Sequence, residues 1–358
     1  MNRVLPWILL LVLGLATAVA AKPASVVFLS PGHADEPFWV TYIQFMQAAA
    51  DDLGVQLQVL HGARDPERLL DNARQVLASK NPPDYLVFVN ERYVGPELLR
   101  LFAHKPVKLF SLHSTLTAEQ QSRVGGTREH YPNWIGSLVP DDEKGGYLMG
   151  QALITLAKGQ PWTMLAFSGG RDTPSASLRE AGLTRALAEH PEIKLQQLVY
   201  GEWQRARAHE QGLALLRRYP QTQLIWAAND EMAFGVMQAA RELGRLPGQD
   251  LHLSALNNSA EVLRAHLKGE IEVLVTGHFT LGGWAMVLLH DYHAGLDFAG
   301  YGGKDRVLPL FMLLGAEQSA RLSTRLGRAD FGLDFKRFSR FYRPKLSAYD
   351  FSLSPLLR

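Results

Sequence analysis

The sequence predicts an α/β protein built from doubly wound parallel sheets, and three observations support this. Short apolar segments of strand length alternate along the 358 residues with amphipathic segments of helical period. Most of the apolar segments are continuous rather than alternating, which is typical of parallel strands covered by helices on both faces. The regular alternation of the two kinds of segment favours a doubly wound fold. At this length, two sheets of about five or six strands each are favoured over one sheet of about nine or more.

Each predicted strand is a short apolar run followed by a turn or a helix. The runs span residues 26–29, 55–60, 85–89, 108–112, 163–167, 195–200, 224–227, 251–255 and 273–276. Helical periodicity marks segments between them, at residues 40–54, 67–79, 143–156, 177–188, 206–219 and 232–243. Loops are indicated by NPPD, SGGRDTP and GRLPGQD, which are rich in residues that favour turns.

Composition, charge and motifs exclude several classes of protein. The chain has no cysteine, so disulfides, thiolate zinc sites and lipid-modified cysteines are excluded. The formal net charge of +2 is too small to indicate nucleic-acid binding. The sequence lacks the common signatures of hydrolases, zinc peptidases and nucleotide-binding enzymes, and its histidines lack the spacing of metal ligands. We therefore expect a protein without enzymatic activity, cofactor or metal, and an enzyme remains the alternative.

Residues 1–20, MNRVLPWILLLVLGLATAVA, have the pattern of a secretory signal peptide. Arg3 precedes an apolar run, and Ala18, Val19 and Ala20 form a cleavage site of the A-x-A type. A membrane anchor is the alternative, but the apolar run over residues 4–15 is shorter than the ~20 residues that span a bilayer. We expect cleavage after Ala20 and a soluble, exported mature protein.

Aromatic and polar residues collect directly after the predicted strands, at the edge where open α/β sheets bind their ligands. The rings that would cover the faces of a ligand are Phe38, Trp39 and Trp203. The side chains that would form hydrogen bonds to it are Asn90, Arg179, Asn229, Asn257 and His278. This combination suits a neutral polar ligand such as a sugar, because its C–H faces stack on rings and its hydroxyls need partners.

Three of these residues have simpler interpretations, which the sequence leaves open. Trp203 could belong to the hydrophobic core. Asn229 could cap the helix that begins near Asp230, which is a common role for asparagine. Arg179 could form an ion pair on the surface with Glu180 or Asp172.

Four segments together resemble a known family. EPFWVTYIQFMQAAADDLGV, VPDDEKGGYLMGQALI, SASLREAGLTRAL and WAANDEMAFGVMQAARELGR are similar, in the same order, to motifs of the periplasmic sugar-binding proteins of ABC importers, the ribose/galactose type. The last segment resembles the family's Asn-Asp-Glu-Met-Ala-x-Gly motif and is the most specific. The resemblance covers roughly residues 25–300. The segment VGGTREHYPNWIGSLVPDD and the long C-terminal extension are also similar to the family's autoinducer-2 receptors.

The resemblance implies a set of ligand-binding residues between two lobes. They are Glu36, Phe38, Trp39, Asn90, Ser111, Arg179, Trp203, Asn229, Asn257 and His278. Glu36 stands where the family usually has Asn, and His278 stands where Gln is common. Ser111 and Asn257 stand at positions that are often Asp. These departures imply a sugar-type pocket whose ligand is not an ordinary pyranose.

The implied fold is that of the type I periplasmic binding proteins. Two Rossmann-like lobes would be joined by three crossovers, near residues 139–141, 278–279 and 302–307. The N-terminal lobe would comprise residues 21–139 and 279–303, and the C-terminal lobe residues 140–278 and 304–324. A ligand between the lobes would close them by a hinge motion.

The resemblance also implies a cellular role in the periplasm. The protein would bind a small sugar or sugar-like ligand and deliver it to the membrane permease of an ABC importer, as a monomer and without nucleic acid. A sensory co-receptor that presents its ligand-bound shape to a membrane histidine kinase or cyclase is the alternative. A sugar-responsive repressor of the same fold is excluded, since such proteins begin with a helix-turn-helix rather than a signal peptide.

The C-terminal extension, residues 325–358, is basic and aromatic. Its rings recur at helical spacing, which predicts one stripe of a helix, formed by Phe331, Phe335, Phe338 and Tyr342. The cations that flank the stripe are Lys336, Arg337, Arg340 and Arg343. The stripe either packs on the protein's own C-terminal lobe or forms a docking surface for a membrane partner.

Overall fold

The computed structural model describes residues 22–358, which form two six-stranded sheets with helices on their faces. The predicted signal peptide and its cleavage site lie outside these residues. Among the described residues, no helix combines the length and the apolar character that are needed to cross a membrane.

The secondary structure follows the predicted alternation of strands and helices. The strands are β1 Ser25–Ser30, β2 Gln56–His61, β3 Tyr85–Phe88, β4 Lys108–Leu112, β5 Trp134–Pro140, β6 Thr163–Ser168, β7 Lys194–Tyr200, β8 Leu224–Ala227, β9 His252–Leu256, β10 Val273–Thr276, β11 Asp305–Leu308 and β12 Met312–Leu313. The helices are α1 Pro37–Leu53, α2 Pro66–Ala78, α3 Gly95–Leu101, α4 Ala118–Val124, α5 Asp142–Thr155, α6 Pro174–Ala188, α7 Arg205–Arg218, α8 Asp230–Glu242, α9 Ala260–Leu267, α10 Leu281–His293 and α11 Ala316–Leu326.

Each sheet is the centre of one lobe. The N-terminal lobe contains the sheet with the order β11-β5-β4-β3-β1-β2, in which all neighbours are parallel. The C-terminal lobe contains the sheet with the order β12-β10-β9-β8-β6-β7, in which only the short edge strand β12 is antiparallel to its neighbour. The prediction of two doubly wound α/β sheets is confirmed, and the ends of β1, β3 and β4 face those of β6 and β8–β10 across a cleft.

The sequence patterns did not predict β5, β11 or β12. In β5, Gly136 and Ser137 interrupt the apolar run on which the strand predictions depended. Gly136 is needed where it lies, because a Cβ there would come within 2.4 Å of the carbonyl oxygen of Lys304, next to the paired strand β11. The edge strands β11 and β12 are short and partly exposed, so they carry little apolar signal.

The chain crosses between the lobes in three places within the described residues. The first two follow β5 and β10. The third was expected near residues 302–307, and this placement is wrong, because Asp305–Leu308 pairs with β5 in the N-terminal lobe. The crossover therefore follows Leu308, and the range 304–324 assigned to the C-terminal lobe begins too early.

The prediction of a helical stripe in the C-terminal extension is also wrong. Over the predicted stripe, residues 331–342, the structure has a 3-10 turn at Phe335–Phe338 in place of an α-helix, since Gly332 has a φ of 65° and Pro344 follows closely. The extension packs mainly on the N-terminal lobe rather than the C-terminal lobe: the rings of Phe331 and Phe335 lie 5.0 and 5.1 Å from that of Phe45 in α1.

Candidate functional site

A cavity lies between the two lobes, at the carboxyl ends of the strands. It is lined by Glu36, Phe38, Trp39, Arg64, Glu91, His113, Ser175, Arg179, Trp203, Asn229, Asn257 and His278. The cavity therefore brings together every residue of the predicted binding set except Asn90 and Ser111. Both lobes contribute to its walls, so its shape depends on how the lobes meet.

Asn90 and Ser111 do not line the cavity, because each is used inside the N-terminal lobe. The Asn90 amide donates to the carbonyl of Thr115 at 2.9 Å, and its Oδ1 accepts from the backbone N–H of Gly95 at 2.9 Å. The Ser111 hydroxyl accepts from the indole N–H of Trp134 at 3.1 Å. Both side chains are fully buried, and their polar groups hold neighbouring loops and strands together.

The N-terminal lobe contributes an aromatic wall to the cavity. Trp39 is 2% exposed, and it lies so close to the backbone that a Cβ on Gly32 would come within 2.1 Å of its ring. Phe38 is half-buried, and its ring stacks on the imidazole of His278 with centroids 4.6 Å apart and planes 17° apart. One face of Phe38 is therefore already covered, and the wall is a mixed layer of phenyl, indole and imidazole rings.

The C-terminal lobe places Trp203 on the opposite side. Glu202 and Trp203 both adopt left-handed backbone conformations, with φ of 54° and 64°. The amide of Asn229 donates to the carbonyl of Trp203 at 3.2 Å, while its Oδ1 caps α8 by accepting from the backbone N–H of Met232. The helix-capping role of Asn229 is thus present, and the same side chain also fixes the loop that carries Trp203.

Arg179 is buried, which excludes the surface ion pair considered for it. Its Nε donates to Asp142 at 2.7 Å, and its Nη1 donates to the carbonyl of Ala228 at 2.8 Å. Its guanidinium carbon lies 5.5 Å from the centre of the Trp203 ring and 5.8 Å from that of Phe311. Two aromatic rings and two acceptors therefore hold the charge in one position at the edge of the cavity.

Glu36, the acid that stands where the family usually has Asn, is paired in the structure. The carboxylate of Glu36 forms an ion pair with Arg64, whose Nη1 also contacts Glu91 at 2.5 Å. The single positive charge of Arg64 thus bridges two carboxylates at the floor of the cleft. Arg64 thus fixes the orientation of both carboxylates, although one guanidinium offsets the charge of only one of them.

Two stacked histidines form the innermost part of the cavity. The rings of His113 and His278 lie 5.5 Å apart at an angle of 30°, and both are almost fully buried. Burial lowers the pKa of His113 to about 3, and the nearby charge of Arg179 lowers it further. Burial likewise lowers the pKa of His278. At neutral pH each ring is uncharged, with one N–H donor and one nitrogen acceptor.

An ion pair joins the lobes at the mouth of the cavity. Arg92 of the N-terminal lobe lies 3.1 Å from Asp172 of the C-terminal lobe. Arg92 and Tyr93 both adopt left-handed backbone conformations, with φ of 48° and 59°. The contact is a direct link between the two lobes outside the set of residues that line the cavity.

The sequence patterns missed four residues that line the cavity. Glu91 lies two residues after one predicted strand, and His113 lies directly after another. The rule that ligands bind at the carboxyl ends of strands applies to both, but it does not say which residue near a strand end contacts the ligand. Arg64 follows β2, a strand whose end was not considered. Ser175 lies in the first turn of α6 and had no distinguishing signal.

Comparison with known proteins shows the family. A family model described as a periplasmic binding protein domain matches residues 136–297. The crystal structure of a periplasmic sugar-binding protein from Pseudomonas fluorescens is 50% identical to this chain, with a TM-score of 0.86, and the match covers 94% of this chain and 100% of that one. The chain belongs to the periplasmic sugar-binding proteins.

More distant relatives of this sugar-binding protein agree with that assignment. The galactofuranose-binding protein YtfQ of Escherichia coli (strain K12) is 21% identical over 282 residues, covering 78% of this chain and 85% of the relative. The ribose import binding protein RbsB of Haemophilus influenzae is 25% identical over 231 residues, covering 64% of this chain and 73% of the relative. These relatives are binding proteins rather than enzymes by name, and they give no support to the autoinducer-2 resemblance.

The buried histidine pair predicts how the stability of this sugar-binding protein depends on pH. Unfolded His113 takes up a proton near pH 6.5, whereas folded His113 does so only at about pH 3. Since the unfolded state binds more protons between these values, the free energy of unfolding should fall as the pH is lowered through this window, by at most about 1.4 kcal/mol per pH unit for this histidine. Urea unfolding of the wild type and of His113→Asn should show a weaker pH dependence in the variant.

A second histidine provides the control for this measurement. His104 has a similar backbone, with a φ of 59°, but it is exposed. His104→Asn should leave the pH dependence as it is in the wild type. Buried Asp230, whose pKa burial raises to about 6, contributes with the opposite sign, but it is present in all three proteins and does not affect the difference. An equal pH dependence of His113→Asn and the wild type would show that His113 does not stay neutral on folding.

Proposed function

We propose that this protein captures a small sugar in the cavity between its lobes and delivers it to the permease of an ABC importer. Family membership supports this role, since the relatives named above bind sugars and include an import binding protein. The proposal includes export to the periplasm with cleavage after Ala20, action as a monomer and the absence of enzymatic activity. The relatives give no support to the alternative of a sensory co-receptor.

The observation that carries the proposal is a set of buried polar atoms around the cavity. Trp39 Nε1, Trp203 Nε1, His113 Nδ1 and His278 Nδ1 are buried and have no hydrogen-bond partner among the described residues. An unpaired buried polar group costs about 1–3 kcal/mol. A ligand with several hydroxyl groups supplies the kind of partner that indole and imidazole nitrogens need, because a hydroxyl both donates and accepts.

The C-terminal lobe adds a further pair of polar groups near the cavity. Asn257 has a φ of 140°, which is strained for any residue other than glycine. Its amide donates to Oδ1 of Asp230 at 2.7 Å, and Oδ2 of Asp230 has no partner within the described residues. The carboxylate of Asp230 therefore fixes the orientation of the Asn257 amide. Backbone strain that persists in a folded protein often marks a binding site.

A thermal-shift panel tests the proposal directly. The purified protein, freed of any co-purified ligand by partial unfolding and refolding, is heated with pentoses, hexoses, polyols and ring-locked methyl furanosides. A sugar present at about 100 times its Kd adds about 2.7 kcal/mol of stability, which should raise the Tm by several degrees. A panel in which no sugar raises the Tm would contradict sugar capture.

Trp203→Ala links that result to the cavity. Loss of the stacking surface should weaken binding of the sugar identified in the panel by about 1–3 kcal/mol, or about 5- to 150-fold. Trp162→Ala is the matched control, because Trp162 is also half-buried in the C-terminal lobe but stacks on His252, at 5.1 Å, away from the cavity. Equal affinities of the two variants would place the sugar somewhere other than this cavity.

A further inference from the structure

The C-terminal extension contains a segment that the sugar site does not use. Residues 336–345, KRFSRFYRPK, hold five lysine and arginine residues and no carboxylate, and we call this segment the basic loop. None of its five cations forms an ion pair with a carboxylate anywhere in residues 22–358. The segment is therefore a concentration of five positive charges within ten residues that is not neutralised by ion pairs.

The fold holds the basic loop in a fixed position. Asp291 of α10 is fully buried, and its carboxylate accepts hydrogen bonds from the Ser339 hydroxyl at 2.5 Å, the Arg340 backbone N–H at 2.6 Å and the Tyr349 hydroxyl at 3.0 Å. Apart from His290 Nδ1, which lies 3.1 Å from this carboxylate, its hydrogen-bond donors within residues 22–358 belong to the extension, which makes the attachment specific. The loop is thus a rigid part of the N-terminal lobe rather than a loose tail.

The side chains of the basic loop that are not used for attachment face solvent. Phe341 and Tyr342 are 49% and 41% exposed, although both are large aromatic residues. Both rings rest against His290, at 5.3 Å between centroids, which fixes them side by side. The ammonium group of Lys336 lies 5.5 Å from the ring of Tyr342, and Arg343 is exposed beside it.

A cavity adjoins the same cations. Arg337 and Arg343 line it together with Arg325 of α11, and its volume is about 440 Å³. Asp334 and Asp350 also line this cavity, so it is not uniformly positive. Its arginines lie next to exposed rings, an arrangement that suits an anionic headgroup attached to an apolar body.

We propose that the basic loop binds the surface of a bilayer that contains anionic phospholipids. Lysine and arginine clusters are attracted to anionic headgroups, and aromatic side chains settle at the boundary between headgroups and acyl chains. The exposed pair Phe341 and Tyr342 distinguishes this surface from one that only matches an acidic protein, since solvated carboxylates do not require adjacent rings. The lipid contact does not depend on sugar capture, because the loop and the sugar cavity share no residues.

Sedimentation with vesicles tests the proposal. The purified protein is mixed with vesicles of equal parts phosphatidylglycerol and phosphatidylcholine, and with vesicles of phosphatidylcholine alone. We expect binding to the anionic vesicles that is lost at high salt, and no binding to the neutral ones. Replacing Lys336, Arg343 and Lys345 together with serine should weaken binding at least about tenfold. Phe341→Ser with Tyr342→Ser should also weaken it, at unchanged net charge.

A second triple variant controls for net charge. Lys80, Lys105 and Lys268 are exposed, lie outside the basic loop and form no ion pair within the described residues, so their replacement with serine removes the same charge. This control should bind the anionic vesicles as the wild type does. Absence of wild-type binding, or equal binding by the two triple variants, would overturn the proposal and leave an acidic protein surface as the partner. Urea unfolding of each variant checks that it is folded.

Discussion

Replacing Arg179 with alanine should lower the free energy of unfolding by about 3–5 kcal/mol, because the change leaves a buried charge without its partner. Arg179 and Asp142 form an ion pair between α6 and α5, and the side chain of each is only 3% exposed. Burial raises the pKa of Asp142 to about 6 even with Arg179 beside it. Without Arg179, Asp142 either stays charged in an apolar environment or takes up a proton, and both cost stability at neutral pH.

The defect should also depend on pH. A carboxyl group whose pKa is raised on folding favours the folded state at low pH, and this advantage is lost as the pH rises through the raised pKa. Loss of Arg179 raises the pKa of Asp142 further, so the variant should lose more stability relative to the wild type at pH 8 than at pH 5. Urea unfolding at the two values measures the difference.

The chain offers a matched control on the same two helices. Arg185 of α6 forms an ion pair with Glu143 of α5 at 2.7 Å, but these side chains are 45% and 42% exposed. Exposed pairs contribute about 0–1 kcal/mol, so Arg185→Ala should have little effect at either pH. If the two variants lost equal stability, burial would not be the reason for the importance of Arg179.

The second large effect should come from Trp284→Ala. Trp284 of α10 is fully buried, and its ring lies 4.8 Å from that of Phe338 and 5.2 Å from that of Phe351, stacked at 12°. Removing a buried tryptophan costs about 3–5 kcal/mol through lost burial and the cavity that remains. Since the lost contacts are those with the C-terminal extension, the extension should also become sensitive to proteases under native conditions.

Trp226→Ala separates the general loss of stability from the release of the C-terminal extension. Trp226 lies in β8 of the C-terminal lobe and is equally buried, so its loss should destabilise the protein to a similar degree. Within residues 22–358 it forms no aromatic pair with the extension. Limited proteolysis should then release fragments of residues 325–358 from the Trp284 variant at conditions that leave the Trp226 variant intact. Equal sensitivity of the two would mean that Trp284 does not anchor the extension.

The position of most cavity residues could be predicted from the sequence. Phe38, Trp203 and Asn229 each follow a strand, and the carboxyl ends of parallel strands always meet at one edge of a sheet. That rule is local, since it needs only the end of each strand and the direction of the chain. It could not separate Asn90 and Ser111 from the cavity residues, since Asn90 lies two residues after β3 and Ser111 lies one residue before the end of β4. Their partners Thr115 and Trp134 come near them only in the folded lobe.

The roles of individual side chains depended on partners far away in the chain. The sequence shows only that position 36 is an acid, whereas the structure pairs Glu36 with Arg64, 28 residues away. Asn257 stands where the family often has Asp, and its amide donates to the carboxylate of Asp230, 27 residues away. Which charges remain free in a site depends on three-dimensional neighbours, because burial and pairing decide the energy of a charge.

The sequence by itself determined the fold class, the strand-end location of the site and the family, because hydrophobic periodicity, chain direction and short motifs are local properties. Only the tertiary structure decided that His113 and His278 stack as neutral rings, that Asp291 fixes the basic loop, and that the C-terminal extension packs on the N-terminal lobe. Of the rings whose spacing predicted a helix, Phe331, Phe335 and Phe338 pack on Phe45 and Trp284, whereas Tyr342 is exposed against His290. Packing between distant segments has no local signature, since it depends on shapes that exist only after both lobes have folded.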